Sequence, residues 1–313
     1  MNWKIKAFIQ NCISLLPSNL SYELYYMLQR KFGTLKNFNP EGRLNSGIGI
    51  ARLICNSGKD VKEKVFFELG TGRAPITPLA FWLMGAKKII TVDLNPYVKL
   101  ELIKDSLDYI SKNSETIRSL FGDLLNSKNL DALIKFNNKE TFTLKEFLEF
   151  CSIEYHAPCN AEYTALPNDC VDYYISCAVF EHIDRNSLVK IIEEGNRITS
   201  PDSLFINYID YHDHFSTREK NISAINFLKY SDKEWKKYAG NKYMYMNRLR
   251  HDDYIKLFED VGHEIISANY IKDKISESLL EYDKIKINKK FVAKDKSILA
   301  IKEATIVSKK TNK

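Results

Sequence analysis

The sequence predicts an α/β protein in which helices cover both faces of a mostly parallel sheet. Three stretches predict it. Residues 65–96, VFFELGTGRAPITPLAFWLMGAKKIITVDLNP, read as strand, glycine turn, helix and strand. Residues 166–183, LPNDCVDYYISCAVFEHI, read as a further strand leading into a polar turn. Residues 186–215 repeat the order helix then strand and end in Asp210-Tyr211-His212-Asp213-His214-Phe215. Strands joined by helices of this length pair in parallel, because a parallel connection needs a long crossover.

Residues 1–46 form a helical lead. Ile5, Phe8, Ile9, Cys12, Leu15 and Leu16 fall on one helical face, which predicts an amphipathic helix packed on the domain. Lys4 and Lys6 beside that face leave a weak peripheral membrane contact as the other reading. A second apolar stripe over 20–31 stops at Gly33, and 47–56 is a third helix leading into the first strand. In that strand Val65-Phe66-Phe67 is an apolar run suited to burial on both faces. Residues 76–84 are apolar and helical, with Pro75 tolerated in the first turn and Gly85 as the stop. Residues 88–92 are the second strand, and Asp93 stands at its tip.

A crossover helix is predicted over 96–111. Residues 112–150 exceed what a crossover needs and carry helical patches at 117–125, 130–136 and 144–150, which predicts a helical insertion. Residues 152–157 give the third strand, 173–177 the fourth, 186–198 a helix, Pro201-Asp202 a turn and 203–209 the fifth strand. A second insertion over 211–250 is rich in Tyr, Phe, Trp, Asn and Lys. A helix over 252–261 ends at Gly262; 263–270 is the sixth strand, 275–282 the last helix and 297–307 the final strand. The plan is a helical lead or lid over 1–60, a main domain over 61–307 with insertions at 112–150 and 211–250, and a lysine-rich tail, 308–313, expected to be disordered.

Composition narrows the function. The apolar fraction of 44% supports a sizeable core. Forty-six Lys and Arg against 40 Asp and Glu leave a net charge of +6, too modest and too dispersed to predict nucleic-acid binding. The six cysteines form no C-x-x-C pair and no zinc spacing, which predicts a reducing, cytoplasmic setting. No stretch approaches the roughly 18 apolar residues of a membrane span.

The turn after the first strand carries the chemistry. Gly70 and Gly72 lack a Cβ, so a ligand can approach the backbone there. An acid at the tip of the next strand suits a ribose diol. Asp93 lies 23 positions after Gly70, near the spacing of nucleoside-binding units. The dinucleotide pattern G-x-G-x-x-G fails, since its third position is Pro75. The pattern of an acid two residues before the first glycine, then a second glycine and a small residue, is met by Glu68, Gly70, Gly72 and Ala74.

On ELGTGRA, TVDLNP and the LPNDCVDYYIS–EHI run, the sequence resembles the class I S-adenosylmethionine (SAM)-dependent methyltransferases, with motifs like those of the type-11 group. The resemblance covers about 64–307 without the insertions. It implies a three-layer, Rossmann-like, seven-stranded sheet whose last strand is antiparallel. It implies SAM as cofactor, held by Glu68, Gly70, Thr71, Gly72, Asp93, Leu94, Asn160, Ala161 and Cys177. Asn160 stands where the family commonly has an Asp reaching the adenine amino group; the other reading is an Asn in a turn. His182 is the foremost base candidate, with Asp210, His212 and His214 behind it. A structural His182 capping the next helix is the alternative. The Asp-His alternation could also hold a divalent metal, but no partner motif elsewhere completes a site, so no metal is expected.

The acceptor is expected to be a small molecule or a glycan methylated on oxygen. The aromatic insertion suits a sugar, and Arg248 or Arg250 could bind an acceptor phosphate or carboxylate. A packed surface subdomain and solvated arginines are the alternatives. Two rival functions remain: a non-catalytic, nucleoside-binding scaffold, and an NAD-dependent sugar-nucleotide enzyme, against which Pro75 and the lack of a Y-x-x-x-K pair directly after the fourth strand count.

Overall fold

A computed structural model of the chain describes residues 2–33, 35–139, 141–217, 219 and 221–311. Seven strands form one mixed sheet in the order β3-β2-β1-β4-β5-β7-β6, with β7 antiparallel: β1 (Val65–Leu69), β2 (Lys88–Val92), β3 (Ile153–His156), β4 (Val171–Cys177), β5 (Thr199–Asp210), β6 (His263–Lys272) and β7 (Ile301–Lys310). This is the architecture that the resemblance implies. The chain divides into two compact units: one holds Asn37–Cys177, Lys190–Ile206 and the residues from Lys309, the other Met1–Lys36, Ala178–Val189 and Asn207–Ser308. The lead is therefore split, its first two helices belonging with the later part of the chain.

In the first of these units β1 pairs in parallel with β2 and β4, and β2 with β3. Leu69 stands opposite Val92 and Ser176, so the turns after all three strands leave the sheet at one level. With the lead helices before it numbered α1 (Trp3–Ser14) and α2 (Ser18–Phe32), α3 (Glu41–Asn56) packs on α4 (Ile76–Leu83). A Cβ on Gly47 would lie 2.6 Å from the Cβ of Ala80, so only glycine lets these helices approach. Residues 112–150 are helical: after α5 (Leu100–Lys112) come α6 (Ser114–Phe121), α7 (Ser127–Asn137) and α8 (Leu144–Phe150). Ile117, Phe121, Leu130, Leu133, Phe136 and Phe147 are buried, so this segment has its own apolar layer. Helix α9 (Arg185–Ile198) leads into β5. Pro201-Asp202, expected as a turn, lies inside β5 near its start, where a missing N–H is tolerated.

The other unit carries α1, α2, the end of β5, α10 (Asp232–Ala239), α11 (His251–Asp260), β6, α12 (Lys274–Glu281), α13 (Lys296–Leu299) and most of β7. Helix α1 buries a face other than the expected one. Trp3, Ala7, Gln10 and Ile13 are inside, whereas Ile5, Phe8, Ile9 and Leu15 are exposed. Trp3 sets the orientation: its ring centroid lies 4.8 Å from Tyr238, 5.2 Å from Phe215 and 6.2 Å from Trp235. Asn11 then fixes the register, donating to the Lys237 carbonyl at 2.8 Å and accepting from Asn241 at 2.8 Å.

The final strand also differs from expectation. Asp295 caps the short helix α13, its carboxylate accepting from the Ser297 N–H at 2.6 Å, so β7 starts only at Ile301. It continues to Lys310, whose Nζ donates to the Asn196 carbonyl at 2.9 Å, so the expected tail is strand over 308–310. Residues 312 and 313 lie outside the described residues. Among the described residues no helix is long and apolar enough to cross a membrane.

Trp3→Ala is expected to lower stability by about 3–5 kcal/mol, the usual cost of emptying a buried aromatic site. Denaturant unfolding of the full chain checks this, and Phe8→Ala on the exposed face is expected to leave the midpoint within error.

Candidate functional site

The glycine turn follows β1. Gly70 (φ +86°) and Gly72 (φ +68°) occupy the left-handed region that side chains rarely adopt. Nothing lies within 4 Å of where a Gly72 Cβ would be, so the space above it is open. The turn is tied to β2 in three ways. The N–H groups of Gly70 and Thr71 donate to the Val92 carbonyl at 2.8 and 3.3 Å. The Gly72 N–H donates to Asp93 Oδ2 at 2.9 Å. Beneath the turn Thr91 Oγ1 donates to Glu68 Oε2 at 2.6 Å, and Thr71 Oγ1 lies 2.6 Å from Thr91 Oγ1. Thr91 has one hydroxyl hydrogen, so with Glu68 ionised Thr71 must be the donor in that last contact.

Glu68 thus acts from below. It is 3% exposed, and burial pushes its carboxyl up to about 7, against the opposing effects of Thr91 and Arg43. Asp93 is half-buried; burial raises its pKa, while the N–H groups of Gly72 and Asn95 counter the shift. Its other oxygen accepts from the Asn95 N–H at 3.2 Å. Each carboxylate oxygen keeps a further lone pair for a ligand. Leu94, next to it, is 66% exposed, an apolar side chain presented to solvent.

Asn160 follows β3 in an Asx turn, its Oδ1 accepting from the Glu162 N–H at 3.0 Å. The amide oxygen that was to meet a base amino group is therefore already bonded once. Ala161 is buried beside it. Cys177, at the end of β4, is buried, and its carbonyl accepts from Arg43 Nη1 at 3.3 Å. Arg43 was not anticipated: it lies on α3, far from any motif, and no local pattern separates it from a solvated arginine.

The other unit holds the imidazole cluster. Ala178 takes a left-handed φ of +57° and turns the chain into a short 3-10 turn, Phe180–His182. Asn247 pins that turn: Nδ2 donates to the carbonyls of Phe180 and Ile183 at 2.8 and 2.7 Å, and its N–H to that of Glu181 at 2.9 Å. Glu181 is 2% exposed. His182 Nδ1 lies 2.7 Å from the Tyr245 carbonyl. A carbonyl only accepts, so Nδ1 carries the proton and Nε2 the lone pair. The surrounding protein lowers the His182 pKa, and the neighbouring His214 adds to this.

Beyond β5 the residues alternate like a strand. Asp210, His212 and His214 converge, whereas Tyr211, Asp213 and Phe215 are buried. Asp213 Oδ2 accepts from Asn226 Nδ2 at 2.9 Å, a structural role. Asp210 accepts from His212 Nδ1 and from the His212 N–H, and lies 3.5 Å from His214 Nε2. Burial works against its charge, but these imidazoles outweigh burial and hold its pKa well below the usual range. Conversely, burial disfavours the His212 cation, but Asp210 raises the pKa overall. His212 Nε2 faces the Thr217 hydroxyl at 3.0 Å.

One expectation fails here. Arg248 and Arg250 are buried, at 4% and 0% exposure, and cannot reach an acceptor. Arg248 donates to the carbonyls of Phe227 and Tyr230, Arg250 to those of Tyr211 and Leu299, so both satisfy backbone that the insertion would otherwise orphan. Part of the aromatic set of 211–250 is also interior, while Tyr230, Tyr238 and Tyr243 are partly buried and Tyr245 is 39% exposed. Phe227, Trp235 and Met244 pack with Trp3 and Phe215 in one core and offer no face to a sugar. A polar cleft of about 300 Å³ lies at the amino-terminal ends of β1 and β4, lined by Lys59, Lys64 and Asp172, away from the glycine turn.

Glu68 generates a prediction. The folded chain keeps its proton up to about pH 7, whereas the unfolded chain releases it from about pH 4.5. Stability is therefore fully supported below the lower value and falls as pH rises through the upper one. Glu68→Gln removes this dependence and is expected to stabilise the protein at pH 8 by up to about 3 kcal/mol while changing little at pH 4. Unfolding midpoints of both proteins across pH 4–8 check it.

No family profile and no curated protein matches the sequence. Among solved structures the chain is similar to a SAM-dependent methyltransferase from Methanosarcina mazei, at 13% identity over 80% of this chain and 94% of that one, TM-score 0.42. It is similar to magnesium protoporphyrin IX methyltransferase from Synechocystis with bound SAH, at 9% identity over 86% and 84%, TM-score 0.44. It is also similar to geranyl diphosphate C-methyltransferase from Streptomyces coelicolor, in complex with Mg2+, geranyl diphosphate and S-adenosyl-L-homocysteine, at 9% identity over 84% and 80%, TM-score 0.44. Likeness at this distance says nothing of what this chain binds or acts on.

Proposed function

We propose that the chain transfers a methyl group from SAM to a hydroxyl of a small molecule. The observation that most supports this is the coupling of the glycine turn to Asp93, at 2.9 Å, beside open space above Gly72. In this reading the Asp93 oxygens bond the ribose diol with their remaining lone pairs. Leu94 covers one side of the adenine, and Asn160 and Ala161 border it. The donor's methionine portion lies along Gly70 to Gly72, and Arg43 pairs with its carboxylate.

The chemistry asks for positioning and for one proton acceptor. The acceptor oxygen attacks the sulfonium methyl, a C–O bond forms as the C–S bond breaks, and S-adenosylhomocysteine leaves. The proton needs a base, for which His212 Nε2 is our candidate. Asp210 holds His212 in the required tautomer and stabilises its cation, and the nitrogen already faces a hydroxyl, that of Thr217. This favours His212 over His182 as base. Burial of Phe215, Phe227 and Trp235 takes these rings from a sugar acceptor, and Tyr245 is the exposed aromatic left in the insertion.

S-adenosylhomocysteine at about 100 times its Kd is worth roughly 2.7 kcal/mol of stability, or about 4 °C for 313 residues. A shift of this size with S-adenosylhomocysteine, none with NAD, and loss of the shift in Asp93→Ala are expected. A shift with NAD alone would overturn the reading. Once an acceptor is found, His212→Gln is expected to lower kcat by about 100-fold or more with little change in KM. Unchanged turnover in that variant would remove His212 as base.

A further inference from the structure

We propose that Glu181, His182 and His214 form a site for one divalent first-row transition cation of the zinc type. Each offers one ligand atom, and the three atoms lie within 4.8 Å of one another. A tetrahedral ion with bonds of about 2.0–2.1 Å spaces its ligands by about 3.3–3.4 Å, so small rotamer adjustments close the set. Two imidazoles and one carboxylate, with a position left for an exogenous oxygen, favour such an ion over magnesium or calcium, which prefer all-oxygen shells.

The supporting geometry is specific to these side chains. His182 is held by Nδ1 on the Tyr245 carbonyl at 2.7 Å, which leaves Nε2 as the donor atom, the outer bond typical of metal-ligating histidine. Its ring lies 5.0 Å from that of His214. His214 in turn has Asp210 beside it, 3.5 Å from Nε2, a carboxylate that orients the ring. Glu181 is carried on the turn that Asn247 pins, so its position does not depend on the ion. A second triplet, Asp210, His212 and His214, is also close enough to bind. Its first two members are already bonded to each other and His212 to Thr217, so we assign the ion to the first triplet. The Asp210–His212 pair then stays available for proton transfer. The assignment stands on this cluster alone, whether or not the chain transfers methyl groups.

The test uses the full-length chain, stripped with a chelator and titrated with Co2+ and Zn2+, with Mg2+ as control. One Co2+ per chain with visible d–d absorption, displaced by Zn2+ and not by Mg2+, is expected. His214→Gln and Glu181→Gln are each expected to weaken binding at least about tenfold. His156→Ala, which removes an imidazole outside the cluster, is expected to leave binding unchanged. Circular dichroism verifies folding; should Glu181→Gln fail to fold, the partly exposed His214 and His182→Gln carry the test. Absence of saturable Co2+ binding, or affinity unchanged in His214→Gln, would overturn the proposal.

Discussion

The hydrogen bond from the Gly72 N–H to the Asp93 carboxylate is the constraint on which the nucleoside-binding geometry depends. It joins the turns after two neighbouring parallel strands, and it forms only because Leu69 and Val92 are in register. The register is kept from below by the Thr71–Thr91–Glu68 chain. A buried acid in that chain is costly when ionised, and burial accordingly raises its pKa. The same arrangement explains why both glycines are needed: the backbone must turn through positive φ and still present an N–H to Asp93.

The unit containing the imidazole cluster is organised differently. Its positions are set by side chains satisfying backbone rather than by a parallel ladder. Asn247 holds the turn that carries Glu181 and His182, and Arg250 gathers the carbonyls of Tyr211 and Leu299 from separate segments. Such groups are obligatory partners for buried peptide carbonyls. Charge on these arginines is therefore spent inside the protein. The aromatic residues of the same insertion form the layer on which Trp3 docks, which makes the first helix part of this unit.

Local residue patterns alone specify the strand–turn–helix–strand unit over 65–96 and the strand before the EHI turn. Local patterns suffice there: an apolar run long enough for a buried strand, glycine where φ must be positive, and an acid at a strand tip. The lead, insertion and crossover helices were legible for the same reason, to within a few residues at most boundaries. The α-helical start before β7 was missed because one cap, Asp295, outweighed the strand propensity of the residues after it.

Tertiary structure alone decided the rest. Which face of α1 is buried depends on a partner more than 200 residues away, since Trp3 meets Trp235, and an apolar stripe carries no information about the ring that will cover it. Whether Arg248 and Arg250 face solvent depends on which carbonyls the fold leaves unpaired. The sequence showed acids and imidazoles crowded into 210–214 around Tyr211; strand-like alternation sends only the even-numbered side chains together. Glu181 and His182, some 30 residues earlier, meet them only in the folded chain, because the sheet converts sequence separation into proximity.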